Sequence, residues 1–381
     1  MGGELHEWRD CKLGDVLELK RGYDLPSQHR QPGSVPIVSS SGSSGFHAEA
    51  MVKAPGVVTG RYGTLGEVFF VTRDFWPLNT TLYVRDFKGS DPKFISYFLK
   101  TLDIYSCSDK AAVPGVNRNH LHELPVRVPP LAEQRAIARI LGALDDKIEL
   151  NRKMNETLEA IARALFKSWF VQEPEPDWKT APLAEWVDVL SGGTPSKSNA
   201  ALWGGPLKWI SPKAMTSIHA DECDEHVSEQ AVGNGTRIAP KGSTLVMVRG
   251  MGLHDGVRVS QARETVTFNQ DVKALVPKNI EADLLLFAML DAQEELHKRV
   301  ETSGHGTGKM PSEILLSHPI TMPSLEVQRE RAVHISALND QIGANRSESR
   351  SLARVLDELL PRLLSGALPV DAAERAVEEV A

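Results

Sequence analysis

Three short stretches hold residue types from which catalytic or metal chemistry could be built, and each fails on spacing. "SGHGTGKM" (303–310) groups Gly306, Gly308 and Lys309 as a phosphate loop would. Such a loop needs a glycine five residues before Gly308 and a hydroxyl after the lysine, where Ser303 and Met310 stand. "HADECDEH" (219–226) sets His219, Cys223 and His226 at ligand-like intervals. A structural zinc site takes four protein ligands, and no second Cys or His pair is near, so an acidic surface loop is expected. "PDWK" (176–179) compresses the carboxylate and lysine of a metal-dependent nuclease into one turn, where Trp178 is expected to anchor the fold instead. Neither an Asn-Pro-Pro-aromatic nor an Asp-Pro-Pro-Tyr tetrapeptide of amino-methyltransferases occurs. The expectation is a chain with no catalytic site, no cofactor and no metal.

The elements that carry these loops must therefore serve binding. A chain of 381 residues, 41% hydrophobic and 24% charged, has the composition of a globular protein with two or three cores. No apolar run approaches the ~20 residues that span a bilayer. The polar start "MGGELHEWRD" is not expected to act as a secretory signal. Cys11, Cys107 and Cys223 are odd in number and scattered, which points to a reducing cytoplasm. The net charge of −7 is unevenly spread: residues 1–129 hold 15 basic and 14 acidic residues, and 130–172 hold 7 and 6. The deficit lies in 173–322, with 14 and 20, and in 323–381, with 7 and 10. Bulk charge leaves DNA binding open and implies that a partner supplies much of any phosphate neutralisation.

The strongest signal is an internal repeat. "PPLAEQRAIARILGALDDKIELNR" (129–152) lies without gaps over "PSLEVQRERAVHISALNDQIGANR" (323–346), with Gln134/Gln328, Arg135/Arg329, Asp146/Asp340, Asn151/Asn345 and Arg152/Arg346 identical. Two copies point to duplication of a domain and its following segment. Apolar residues recur every 3.5 positions from Ile137 to Trp169 and from Ile335 to Leu363, the period of a coiled coil. The seam includes Leu144, Ile148, Asn151, Leu158 and Leu165 in the first copy, and Leu338, Ile342, Asn345, Leu352 and Leu359 in the second. Prolines precede each start, and a helix from Ala132 to Phe170 would be roughly 57 Å long. Pro361 is expected to end or kink the second. Antiparallel pairing would set Asn151 against Asn345 and fix register, and Trp169 and Phe170 would face a partner.

The blocks 1–129 and 173–322 differ in sequence but match in element order. Each has an early strand, "LGDVLELKRG" or "LAEWVDVLSGG", then a hairpin, "GVVTGRYGTLGEVFFV" or "STLVMVRGMGLHDGVRV". A further strand, a helix and a glycine-bearing polar loop lead back to the proline before each long helix. The expected fold class is α+β: two mixed α/β domains in pseudo-twofold arrangement, separated by two long antiparallel helices forming a coiled coil. The divisions are 1–129, the central helix 130–172, 173–322, the C-terminal helix 323–366 and a tail 367–381.

The segment "PPLAEQRAIARILGALDDKIELNRKMNETLEAIARALFKSWF" resembles the central region of the specificity subunit of type I restriction-modification systems. "SGGTPSKSNA" (191–200) and "LLPRLLSGAL" (359–368) are similar to segments common in that family. The resemblance implies two target recognition domains, each binding half of a split site in double-stranded DNA. It implies helices that act as spacer and dock two methyltransferase subunits, with restriction subunits in the full complex.

Direct base reading needs donors and acceptors on loops that enter a groove. The first block offers Lys20, Arg21, Ser40, Ser41, Arg61, Tyr62, Lys110, Asn117 and Arg118. The second offers Thr194, Lys197, Lys213, Arg249, His254, His305 and Lys309. Arg61 in "TGRYG" and Arg249 in "MVRGMG" come from matching hairpins and form the best single pair. The alternatives are a coiled-coil scaffold that binds no DNA and a fragment of a fused methyltransferase or nuclease.

Overall fold

The computed structural model describes residues 7–109, 115–172, 174–304 and 306–378. The chain divides into two compact units, residues 1–150 with 348–381, and residues 151–347.

In the first unit the apolar run "GVVTG" becomes the fully buried strand Gly56–Gly60, which turns back antiparallel onto Val68–Val71 as expected. Thr81–Asp86 pairs along its other side, and Glu18–Arg21 lies outside that. The helix Pro92–Thr101 starts where Asp91 accepts the Phe94 N–H at 2.9 Å, with proline at the first helical position. It buries Tyr97 together with Phe94, Ile95, Phe98 and Leu99, the last four each worth about 1.5–3 kcal/mol of transfer free energy. A second sheet, Gly42–His47, Val35–Ser39 and Trp76–Pro77, was not anticipated from the pattern. Arg9–Lys12 pairs with Pro125–Val128, which leads into the central helix.

The second unit repeats this plan. Its main sheet runs Val187–Ser191, Val272–Pro277, Thr244–Met247, Val259–Gln261, the same out-of-sequence order. Lys179–Pro182 pairs with Pro319–Met322, ahead of the second long helix. The helix Ala282–Asp291 is apolar on nearly every face and lies in the core.

The long helices are Leu131–Phe166 and Leu325–Leu364. Within the first unit Ile137, Leu141 and Leu144 share a core with Leu352, Leu359 and Leu363, and Lys147 pairs with Glu348 at 3.3 Å. Within the second, Ala162 and Phe166 share a core with Ile335 and Ile342. Rising numbers on one helix meet falling numbers on the other, so the pairing is antiparallel in each unit. Asn151 is fully buried and donates to the Asn345 carbonyl at 3.4 Å, while Asn345 Nδ2 donates to Asn155 Oδ1 at 2.9 Å.

The central helix reaches Gln172 as expected, its last six residues, Lys167–Gln172, being π-helical. Several other expectations need correction. Phe170 does not face outward: it lies four residues beyond buried Phe166, on the same face, and packs against it and Trp178. Trp169 is half-buried, with its edge toward His334. The C-terminal long helix runs three residues past Pro361 and ends before Gly366, whose φ is +75°. Residues 367–381, expected as a tail, contain the helix Val370–Glu378, with Ala373 buried in the first unit's core.

"HADECDEH" is not a surface loop throughout. His219 and Asp221 are buried because both meet the long helix Leu325–Leu364: His219 contacts Asn339, and Asp221 accepts from Nε and one Nη of Arg346. Among the described residues no cluster of three metal-ligand side chains exists, and no helix is long and apolar enough to cross a membrane.

Candidate nucleic-acid interface

The strand Gly56–Gly60 continues into Arg61 and Tyr62, which reach a second strand. The Arg61 carbonyl accepts the Val116 N–H at 3.0 Å, and Tyr62 bridges Gly115 antiparallel. Gly115–Val116 in turn pairs with Ser108–Asp109. The result is a narrow three-stranded ribbon.

The second unit builds the same ribbon from different residues. Arg249–Gly250 pairs with Gly308–Lys309, which pairs with Glu301–Thr302. Both middle strands open with glycine because a neighbour crowds the Cβ position. A Cβ on Gly115 would lie 2.3 Å from a Tyr62 ring carbon, and one on Gly308 would lie 2.8 Å from Leu253 Cβ. Register makes the two arginines equivalent: Arg61 faces Val116 as Arg249 faces Lys309.

Around the first ribbon, Arg61 stacks its guanidinium 4.5 Å from the centroid of Tyr62, which is itself exposed. Ser40 approaches the same turn: its Oγ would be 3.7 Å from a Cβ on Gly63. Asn117 follows the middle strand and caps the helix Arg118–His122, accepting the Asn119 N–H at 3.0 Å. Burial holds the His122 imidazole below its ordinary pKa, and the charge of Arg118 adds to that. Ser41 lies beside Ser40 and bonds Ser39. Lys20 and Arg21 sit on the outer strand of the main sheet, over Tyr23 and paired with Asp24 respectively.

Around the second ribbon, Arg249 and Lys309 are cross-strand neighbours, both exposed. Among the described residues neither is in an ion pair. Burial raises the pKa of Asp271 nearby, and the charge of Arg249 opposes that. His254 Nε2 lies 3.0 Å from the Gly306 carbonyl, which ties the hairpin to the polar loop. Thr194 Oγ1 donates to Gln270 at 2.5 Å, next to Asp271.

The other two cations are already engaged. Lys197 lies 3.7 Å from the Trp203 ring centroid, beside Trp209, and pairs with Glu225. Lys213 pairs with Asp224 at 2.8 Å. Lys110 and His305 lie outside the described residues.

Sequence reasoning missed the groups that hold each unit onto its helix. Asn339 occupies the position of Asp145 in the repeat, and both reach into their own unit. Tyr97 donates to Asp145 at 2.6 Å; Asn339 donates to Gln261 at 3.0 Å and to Asp283 at 2.8 Å. The available signal was a polar residue between apolar seam positions in both copies.

Comparison with known proteins shows where this plan recurs. The chain is 27% identical over 254 residues to the EcoR124I/EcoR124II type I restriction enzyme specificity subunit of Escherichia coli, covering 64% of this chain and 62% of that one. It is 22% identical over 336 residues to the HindI specificity subunit of Haemophilus influenzae, covering 68% and 72%. The match thus spans less than two thirds of the Escherichia coli protein. The crystal structure of a type I restriction-modification S subunit from M. genitalium shares the fold with a TM-score of 0.65 over 96% of this chain and 97% of that one, at 17% identity. One family model, the type I restriction modification DNA specificity domain, matches residues 6–160 and again residues 175–352, and the chain belongs to that family, carrying its domain twice.

Proposed function

We propose that this chain is the sequence-reading subunit of a type I restriction-modification complex. Each unit reads one half of a bipartite site in double-stranded DNA, and the long helices serve as spacer and dock two methyltransferase subunits. Restriction subunits join the full complex. Methylation and cleavage belong to those partners, so this chain needs no cofactor, and its place is the cytoplasm, with the chromosome.

One observation carries the reading. Two units that differ in sequence build the same ribbon and place an arginine at the same register position of it. A duplicated frame with divergent side chains is what reading two unlike half-sites requires, because phosphate contacts fix orientation while base-edge contacts set sequence. The chain's net charge of −7 fits a subunit that leaves most phosphate neutralisation to its partners.

The test is a mobility-shift titration of the chain, assembled with its methyltransferase subunits, against a duplex identified by mapping methylated adenines in cells expressing the complex. Tight binding that is lost when either half-site is scrambled supports the reading. Methylation without a bipartite sequence, or assembly that never binds DNA, leaves the scaffold alternative.

A further inference from the structure

We propose that Met251 is a specificity-determining residue that lays its side chain against the 5-methyl group of a thymine in one half-site. The inference rests on the DNA-reading function proposed above.

A lone exposed apolar side chain is ordinary on a protein surface. What sets Met251 apart is its mounting. It is 66% exposed, although it follows directly on a strand of the ribbon. Gly250, at φ +131° with open space around it, turns the chain there. Two residues on, Leu253 is fully buried, and His254 is tied to the Gly306 carbonyl. Met251–His254 form a single 3-10 turn, held in place by Leu253 and His254 while Met251 stays exposed.

Its surroundings select the ligand. Arg249 precedes it by two residues and faces Lys309 across the ribbon, neither in an ion pair among the described residues. An apolar protein surface would have to desolvate two unpaired like charges to reach Met251. The major-groove edge of DNA is complementary to the set: phosphate and base acceptors for the cations, and the thymine methyl as its apolar feature. An unbranched thioether adapts readily to such a small apolar group. The first unit also sets an exposed side chain beside its ribbon arginine, Tyr62 after Arg61, although by register Tyr62 stands where Gly250 does.

The experiment uses the chain assembled with its methyltransferase subunits and a duplex carrying its mapped site. Each thymine of both halves is replaced in turn by uracil, which removes only the methyl group. One replacement is expected to weaken binding by about three- to fivefold. Met251→Ala is expected to weaken binding at least as much, and the same replacement then has no further effect. The inference is overturned if no replacement matters, if the loss persists in full with Met251→Ala, or if neither half-site contains thymine. Arg249→Ala separates the two levels. Weakened binding with Arg249→Ala but not with Met251→Ala removes the methionine alone, whereas normal binding by both removes base reading through this ribbon altogether.

Discussion

Gln134 accepts the backbone N–H of Asp91, the residue that caps the helix Pro92–Thr101, at 3.0 Å. Its Nε2 donates to the Pro129 carbonyl, also at 3.0 Å. Gln328 does the same in the second unit, accepting from Glu281 at 2.9 Å and donating to Pro323 at 2.9 Å. A buried amide thus locks each domain helix to the start of its long helix. Gln134→Ala or Gln328→Ala strands a buried donor and acceptor and should cost about 1–3 kcal/mol in urea unfolding. Glutamate at either position should not rescue, since it cannot donate to the proline carbonyl.

Stability should fall on mild acidification through His219. Burial lowers its pKa from 6.5 to about 4, with Arg263 and Arg346 pushing the same way and the Asn339 bond and Asp221 opposing. Asn339 uses its Nδ2 as donor, leaving Oδ1 to accept from His219 Nε2, while Nδ1 has no partner among the described residues. The folded state therefore binds the proton less well than the unfolded one, and the stabilisation, present at neutral pH, is lost as pH falls from 6.5 toward about 4. The full effect is about 3 kcal/mol, of which about 2 kcal/mol should vanish by about pH 5. His219→Gln should flatten the pH dependence of unfolding in that window. It should not abolish it, because burial lowers His122 and His318 too.

Arg346 and Asp221 form a bidentate pair at 2.6 and 2.9 Å, with the Asp221 side chain only 7% exposed. Arg346→Met should destabilise the second unit by about 3–5 kcal/mol, because the carboxylate stays buried without its guanidinium. Arg346→Lys should recover little, since an ammonium cannot span both oxygens. Adding Asp221→Asn to Arg346→Met should restore part of the loss.

The helix seam should show coupling between Asn155 and Asn345, whose side chains meet at 2.9 Å. A double-mutant cycle with alanine at both should give at least about 0.5 kcal/mol, and a value near zero would remove the register role of Asn345.

Arg61→Ala should weaken binding of the assembled complex to its cognate duplex by more than about tenfold. Because the guanidinium stacks on Tyr62 at 4.5 Å, Tyr62→Ala should weaken it as well, with unchanged circular dichroism in both variants.

The long helices, both hairpins and the domain helices were legible because apolar period and glycine turns are local signals. The heptad step named Ile342, Leu352 and Leu359 as buried, and they are. What stayed hidden depended on distant partners. Nothing near Trp76 announces a parallel neighbour at Ile37, and nothing in "HADECDEH" announces Asn339 and Arg346 more than a hundred residues away. Lys197 looked available as a cation, but the two tryptophans that hold it are six and twelve positions further on.

The second unit is one unbroken stretch, 151–347, whereas the first is assembled from both ends of the chain. During synthesis the domain that leaves the ribosome first is therefore the last to be completed, since its core waits for Leu352, Leu359 and Leu363. Inside the inserted unit Asn151, its first residue, is bonded to Asn345, two residues from its last, so folding that unit brings its own two ends together. A loop of nearly two hundred residues then imposes little entropic penalty, because its closure has already been settled inside the inserted unit.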